Sequence, residues 1–82
     1  MVQIGNLRID EDVSKYLSVI EIWGVICRHW RGEWGAVSSA TKRRNMEVLK
    51  TRRGFACSMF KVNGLPVVVL TRYENALTKV IL

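Results

Sequence analysis

The sequence predicts an α+β fold: a long apolar helix and a short basic helix packed on a small antiparallel sheet built mainly from the C-terminal strands. Three observations lead there. Residues 13–30 carry apolar side chains at helical spacing. Residues 55–82 carry short apolar runs set off by turn residues, with Asn63-Gly64 as a hairpin signal. The chain has 82 residues, 49% of them hydrophobic, and one proline, which suits a single domain over 1–82 and not a disordered tail. A nucleotide-binding sheet with crossover helices needs more chain. The core of so short a chain is small, and a partner or a homodimer would add buried surface.

Each element has its own signal. Val2, Ile4, Leu7 and Ile9 alternate, with a shift at Gly5-Asn6, which predicts two very short strands about a turn or one bulged strand. Asp10-Glu11-Asp12 places negative charge where a helix N-terminus favours it. From Val13 the positions Tyr16, Leu17, Ile20, Trp23, Cys27 and Trp30 recur at helical spacing, and Val19, Ile22 and Ile26 widen the stripe. Gly24 within it costs about 1 kcal/mol relative to alanine and points to close packing. Gly32 and Gly35 stop the helix near Trp30. Ser38 or Ser39 caps a second helix ending near Lys50, with Met46 and Leu49 turned inward and Gly54 closing its exit. Phe55–Val62 and Leu65–Thr71 form the hairpin, with Pro66 near a strand start. Tyr73–Ala76 turns the chain into a last strand, Leu77–Leu82. The expected core is Leu17, Ile20, Trp23, Cys27, Leu49, Phe55, Val67 and Val69.

Compartment and cofactors follow from what the pattern contains. No basic segment leads into an apolar stretch at the start, and Ser18, Glu21 and Gly24 break the longest apolar region, so neither a secretory signal nor a membrane span is expected. Cys27 and Cys57 have no CxxC spacing and no histidine cluster, so no metal or other cofactor is expected. They read as reduced, largely buried thiols, although one disulfide between them is compatible with the sequence. The expected location is the cytoplasm.

The net charge is +6, from 13 Lys and Arg against 7 Asp and Glu, and it is unevenly placed. Residues 28–53 hold Arg28, Arg31, Lys42, Arg43, Arg44, Lys50, Arg52 and Arg53 against Glu33 and Glu47. Such a cluster is the footprint of a polyanion partner, or else a solvated helix face. Within it, Arg28-His29-Trp30-Arg31-Gly32-Glu33-Trp34-Gly35 crowds an imidazole, a carboxylate, two guanidinium groups and two indoles. His29 and Glu33 are candidate acid/base groups and Arg31 a phosphate clamp. Trp30 and Trp34 could stack on bases, or close the core. A third polar group, Thr71-Arg72-Tyr73-Glu74-Asn75 with Thr78, sits at a strand end. No Walker loop, GxGxxG, HExxH or GxSxG is present.

The run His29-x-x-Gly32-Glu33-Trp34-Gly35, followed by Asn45, Gly54, Ser58-x-Phe60, Leu70-Thr71 and Thr78-x-x-x-Leu82, resembles a family of small proteins carried on bacterial plasmids, phages and other mobile elements. That family reads H-x-x-G-D-W-G, then N, G, S-x-Y, I-T-E, D-R and T-T-x-L-L-P. Glu33 stands here for Asp and Phe60 for Tyr, while Arg72 and Asn75 stand where the family has Glu and Arg. The resemblance implies a mobile-element accessory protein of the bacterial host cytoplasm.

Three functions are consistent with these features. The first is a non-catalytic module that binds a host protein or nucleoprotein, with a counter-defence, anti-CRISPR-like inhibitor as its sharpest form. The second is a small basic ribonuclease of the toxin kind, using His29, Glu33, Arg31 and Arg72 with support from Thr71 or Thr78. The third is a plain RNA- or DNA-binding protein. The binding residues expected are the eight cations of the basic cluster with Trp30 and Trp34. His29 and Glu33 are expected to hold the helix-to-loop turn and do no chemistry.

Overall fold

Ser18 divides the apolar run into two helices. A computed structural model describes residues 5–82, and in it α1 covers Glu11–Tyr16 and α2 covers Val19–Trp30. The Ser18 hydroxyl accepts from the Glu21 N–H, and the Glu21 carboxylate accepts from the Ser18 N–H, a reciprocal cap that starts α2 afresh. A third helix, α3, covers Ser39–Thr51, capped by the Ser38 hydroxyl accepting from the Thr41 N–H. It ends on Arg52, itself in the left-handed conformation at φ 58°.

The strands are β1 (Asn6–Ile9), β2 (Phe55–Val62), β3 (Leu65–Arg72) and β4 (Leu77–Ile81), in the order β1-β4-β3-β2. The sheet is therefore mixed, not purely antiparallel. The three C-terminal strands are antiparallel, and β1 adds to β4 in parallel, with Asn6 opposite Leu77. Asn63 and Gly64 both take positive φ, as the tightest hairpin turns require, and set Val62 opposite Leu65. The expected strand residues Val2 and Ile4 lie outside the described residues.

The helices cover one face of the sheet. Val13, Leu17, Ile22, Val25 and Ile26 from α1, α2 and the link between them pack with Phe60, Val67, Val69 and Val80. A second cluster joins Trp34, Val48 and Ala56. Several core expectations are corrected. Ile20 is 84% exposed, Trp23 52% and Phe55 46%; Cys27 and Met46 are also exposed, and Leu49 is only partly buried. The cause is that α2 is apolar on nearly every side. Its sheet-facing stripe is Ile22, Val25, Ile26 and His29, and the stripe carrying Ile20 and Trp23 faces outward. Gly24 has no neighbour in the chain close to where a side chain would project. Both thiols are free, in line with the reduced reading, while Cys27 is exposed and Cys57 half-buried, which corrects the expectation that both are buried. No helix among the described residues is long and apolar enough to cross a membrane.

Candidate functional site

His29 lies in the last turn of α2, on the stripe that meets the sheet, and is fully buried. Strand alternation brings three hydroxyls to the same place: Ser58 from β2, Thr71 from β3 and Thr78 from β4, all with 0% exposure. The imidazole Nδ1 lies 2.5 Å from Ser58 Oγ and Nε2 lies 2.9 Å from Thr71 Oγ1. Thr71 Oγ1 lies 2.8 Å from Thr78 Oγ1, its register partner on β4. A neutral imidazole donates at one nitrogen and accepts at the other, and rotating hydroxyls satisfy both. Burial holds the neutral form by pushing the His29 pKa down to about 4. Trp34 packs edge-on against the ring, with centroids 5.8 Å apart.

A serine hydroxyl on an imidazole is also how an activated nucleophile is built. Here both groups are closed off from solvent, and the second ring nitrogen meets a threonine, not a carboxylate. Glu33 is on the surface, 3.6 Å from Arg31, with both side chains about half exposed. Arg72 follows Thr71 and so projects from the opposite face of the sheet, over the Phe55 ring. The structure thus does not bring His29, Glu33, Arg31 and Arg72 onto one surface.

The loop after α2 closes the edge of the sheet. Met59 on β2 donates its N–H to the Trp34 carbonyl, and the Met59 carbonyl accepts from the Ala36 N–H. Gly35, between them at φ 71°, comes so near that a Cβ would overlap the Met59 carbonyl and the Phe60 ring. Two residues along, Asn45 of α3 bonds both backbone groups of Cys57. His29, Trp34, Gly35, Asn45, Ser58, Thr71 and Thr78 thus build this buried cluster and the covered edge. Trp34 is 7% exposed and so presents no face for a base to stack on.

The opposite face of the sheet is open. Alternation places Asn6 and Arg8, then Leu77, Lys79 and Ile81, then Val68, Leu70 and Arg72, then Phe55, Cys57, Met59 and Lys61 across it. Every charged side chain in the four strands is a cation, and all four, Arg8, Lys61, Arg72 and Lys79, lie on this face and are exposed. Shallow depressions run along it, one lined by Phe55, Leu70, Arg72, Leu77 and Lys79, the next by Arg44, Phe55, Cys57 and Leu70. Arg44 thus reaches the sheet from α3. Lys42, Arg43 and Lys50 are exposed elsewhere on that helix, and Arg52 and Arg53 are exposed just after it. Arg28 is held over the Phe60 ring, 4.3 Å from its centroid, and Trp30 is 42% exposed on α2.

Sequence reasoning missed this face because its cations are scattered over four strands and form no run. The usable signal was strand alternation, which puts Arg8, Lys61, Arg72 and Lys79 out of phase with the buried valines. Among the described residues no three His, Cys, Asp or Glu side chains are grouped to hold a metal ion. Comparison with protein-family models, with curated proteins and with solved structures yields no match.

Proposed function

We propose that this chain is a non-catalytic accessory protein of a bacterial mobile element, working in the host cytoplasm by binding a nucleic acid or a nucleoprotein through the open face of its sheet. The observation that carries this reading is the single sign of charge that the strands present on that face: Arg8, Lys61, Arg72 and Lys79, joined by Arg44, with Glu74 of the following turn beside Arg72. Cations around half-buried apolar side chains and an exposed Phe55 suit a single strand, whose phosphates meet the cations while a base lies on the ring. The basic side of α3 extends the field that draws in a polyanion. The mobile-element setting rests on the family resemblance, and inhibition of a host nucleoprotein defence is its sharpest form.

The test is fluorescence anisotropy with labelled single-stranded RNA, single-stranded DNA and duplex DNA at about 50 mM salt, repeated at rising salt. Binding should weaken with a log–log slope of about −0.7 per phosphate neutralised on a single strand. The pair Arg72→Ala and Lys79→Ala should flatten the slope, and Phe55→Ala should weaken binding without flattening it. No binding to any of the three at low salt would overturn the nucleic-acid reading. A capture from host lysate that survives nuclease treatment would then identify a protein target.

A further inference from the structure

The outward face of α2 carries a second apolar surface, remote from the basic sheet face. Ile20, Trp23, Cys27 and Trp30 follow one another at steps of three, four and three residues, the spacing of a helix-pairing seam. Ile20 is 84% exposed, Trp23 52% and Trp30 42%, with Val19 and Cys27 exposed beside them. Together with Tyr16 they leave roughly three whole side chains' worth of apolar area bare, on the order of 500 Å², toward the upper end of the largest patch a monomer exposes, and such patches are often functional. An area of that size is the apolar centre of a footprint of about 800 Å² per partner, the usual scale of a stable interface.

We infer that this face pairs with the same face of a second copy of the chain, the two α2 helices running antiparallel about a two-fold axis that passes between Trp23 and Cys27. Three observations select a second copy in that orientation. The first is size. Antiparallel pairing sets Ile20 against Trp30 of the other copy and Trp23 against its Cys27, so each indole meets a smaller side chain. Parallel pairing would stack indole on indole in two layers. The second is charge. Within α2 the carboxylate of Glu21 lies in the first turn and the guanidinium of Arg28 in the last. Antiparallel copies bring the acidic end of each to the basic end of the other, and the helix dipoles oppose in the same sense. The third is Gly24, beside the seam, whose missing side chain meets nothing within its own chain. A glycine costs an exposed helix stability, and the close approach of a second helix that its missing side chain permits would offset that cost.

The experiment is sedimentation equilibrium of the full chain from about 1 µM to 100 µM, a range that brackets micromolar association, with circular dichroism as the fold control. The wild type should reach twice the 9.4 kDa of one chain. Ile20→Glu and Trp23→Glu should sediment as monomers with unchanged helix content and, in dilute protein, nearly unchanged melting, because neither side chain is part of the buried core. The double substitution Trp23→Glu with Cys27→Lys sets opposite charges across each layer in the antiparallel register and should restore the dimer. A wild type that stays monomeric at the highest concentration would overturn the inference and leave the stripe to another partner. Single variants that still dimerise, or a double variant that stays monomeric, would overturn it equally.

Discussion

The side-chain amide of Asn45 makes both hydrogen bonds that a neighbouring strand would make to Cys57: its Nδ2 donates to the Cys57 carbonyl at 2.7 Å, and its Oδ1 accepts from the Cys57 N–H at 3.0 Å. Beside it, Trp34 and Ala36 do the same for Met59 through their backbones. An uncovered edge strand is a template for pairing with another chain. The asparagine and the glycine-containing loop therefore end the sheet at β2.

Replacing Asn45 with alanine strips two backbone groups of their partners. We expect a loss of about 2–4 kcal/mol, from the usual cost of leaving such groups unsatisfied, together with a greater tendency to aggregate through β2. Chemical denaturation and light scattering measure the two effects. Full stability in Asn45→Ala would mean that water replaces the amide without cost.

His29 gives the protein an acid-sensitive stability. Its pKa is about 4 in the folded chain, against the ordinary 6.5 in the unfolded one. The unfolded state therefore takes up a proton between those values that the folded state refuses. Stability is complete above about pH 7 and falls as pH drops toward 4, by about 3 kcal/mol in all. Glu21 and Glu74, whose hydrogen bonds to backbone N–H groups lower their pKa values, add their own loss as pH falls from the ordinary carboxylate value of 4.5 toward their lowered ones. His29 is the one histidine in the sequence, so His29→Gln should flatten the profile between pH 6.5 and 4.5 while lowering stability at pH 7. A wild-type profile that is already flat there would contradict the buried neutral imidazole.

Gly35 and Gly24 should respond oppositely to alanine. At Gly35 the new methyl meets the Met59 carbonyl and needs a left-handed backbone as well, so Gly35→Ala should open the loop and destabilise by about 2 kcal/mol or more. At Gly24 the space is empty within the chain, and Gly24→Ala should raise the stability of dilute protein by up to about 1 kcal/mol. Thermal melts at low micromolar concentration separate the two.

Ile22→Ala should cost about 2–5 kcal/mol, the weight of a buried isoleucine. Ile20→Ala, on the outward stripe, should leave the melting of dilute protein nearly unchanged. The reverse order would show that α2 is rotated from its described face.

That pair shows where the sequence was readable. Features decided within a few residues were legible: the Asn63-Gly64 turn, the Ser38 cap, the end of α2 at Trp30. The face of α2 was not, because both of its stripes are apolar and the bulkier one, with Trp23 and Trp30, lies outside. The break at Ser18 was legible only through its Ser-x-x-Glu spacing, which the apolar periodicity on either side obscured. For the candidate site, His29 stood out, but its partners Ser58 and Thr71, and Thr78 behind Thr71, come from three strands far along the chain. Their shared phase with Val67, Val69 and Val80 was the available clue. The parallel pairing of β1 had no local signal, since it joins segments from opposite ends of the described chain.

That pairing also sets the order in which the molecule can be assembled. A ribosome delivers β1 and all three helices before any strand they will rest on, and β4, which lies between β1 and β3, comes last of the four strands. Until it arrives, Val13, Leu17 and Ile22 have no completed surface to cover, and β1 has no neighbour. Closure then spans nearly the whole described chain in one step, the kind of long loop that slows folding. Until β4 is in place the apolar faces of α1 and α2 lack the strand that Val13 and its neighbours pack on.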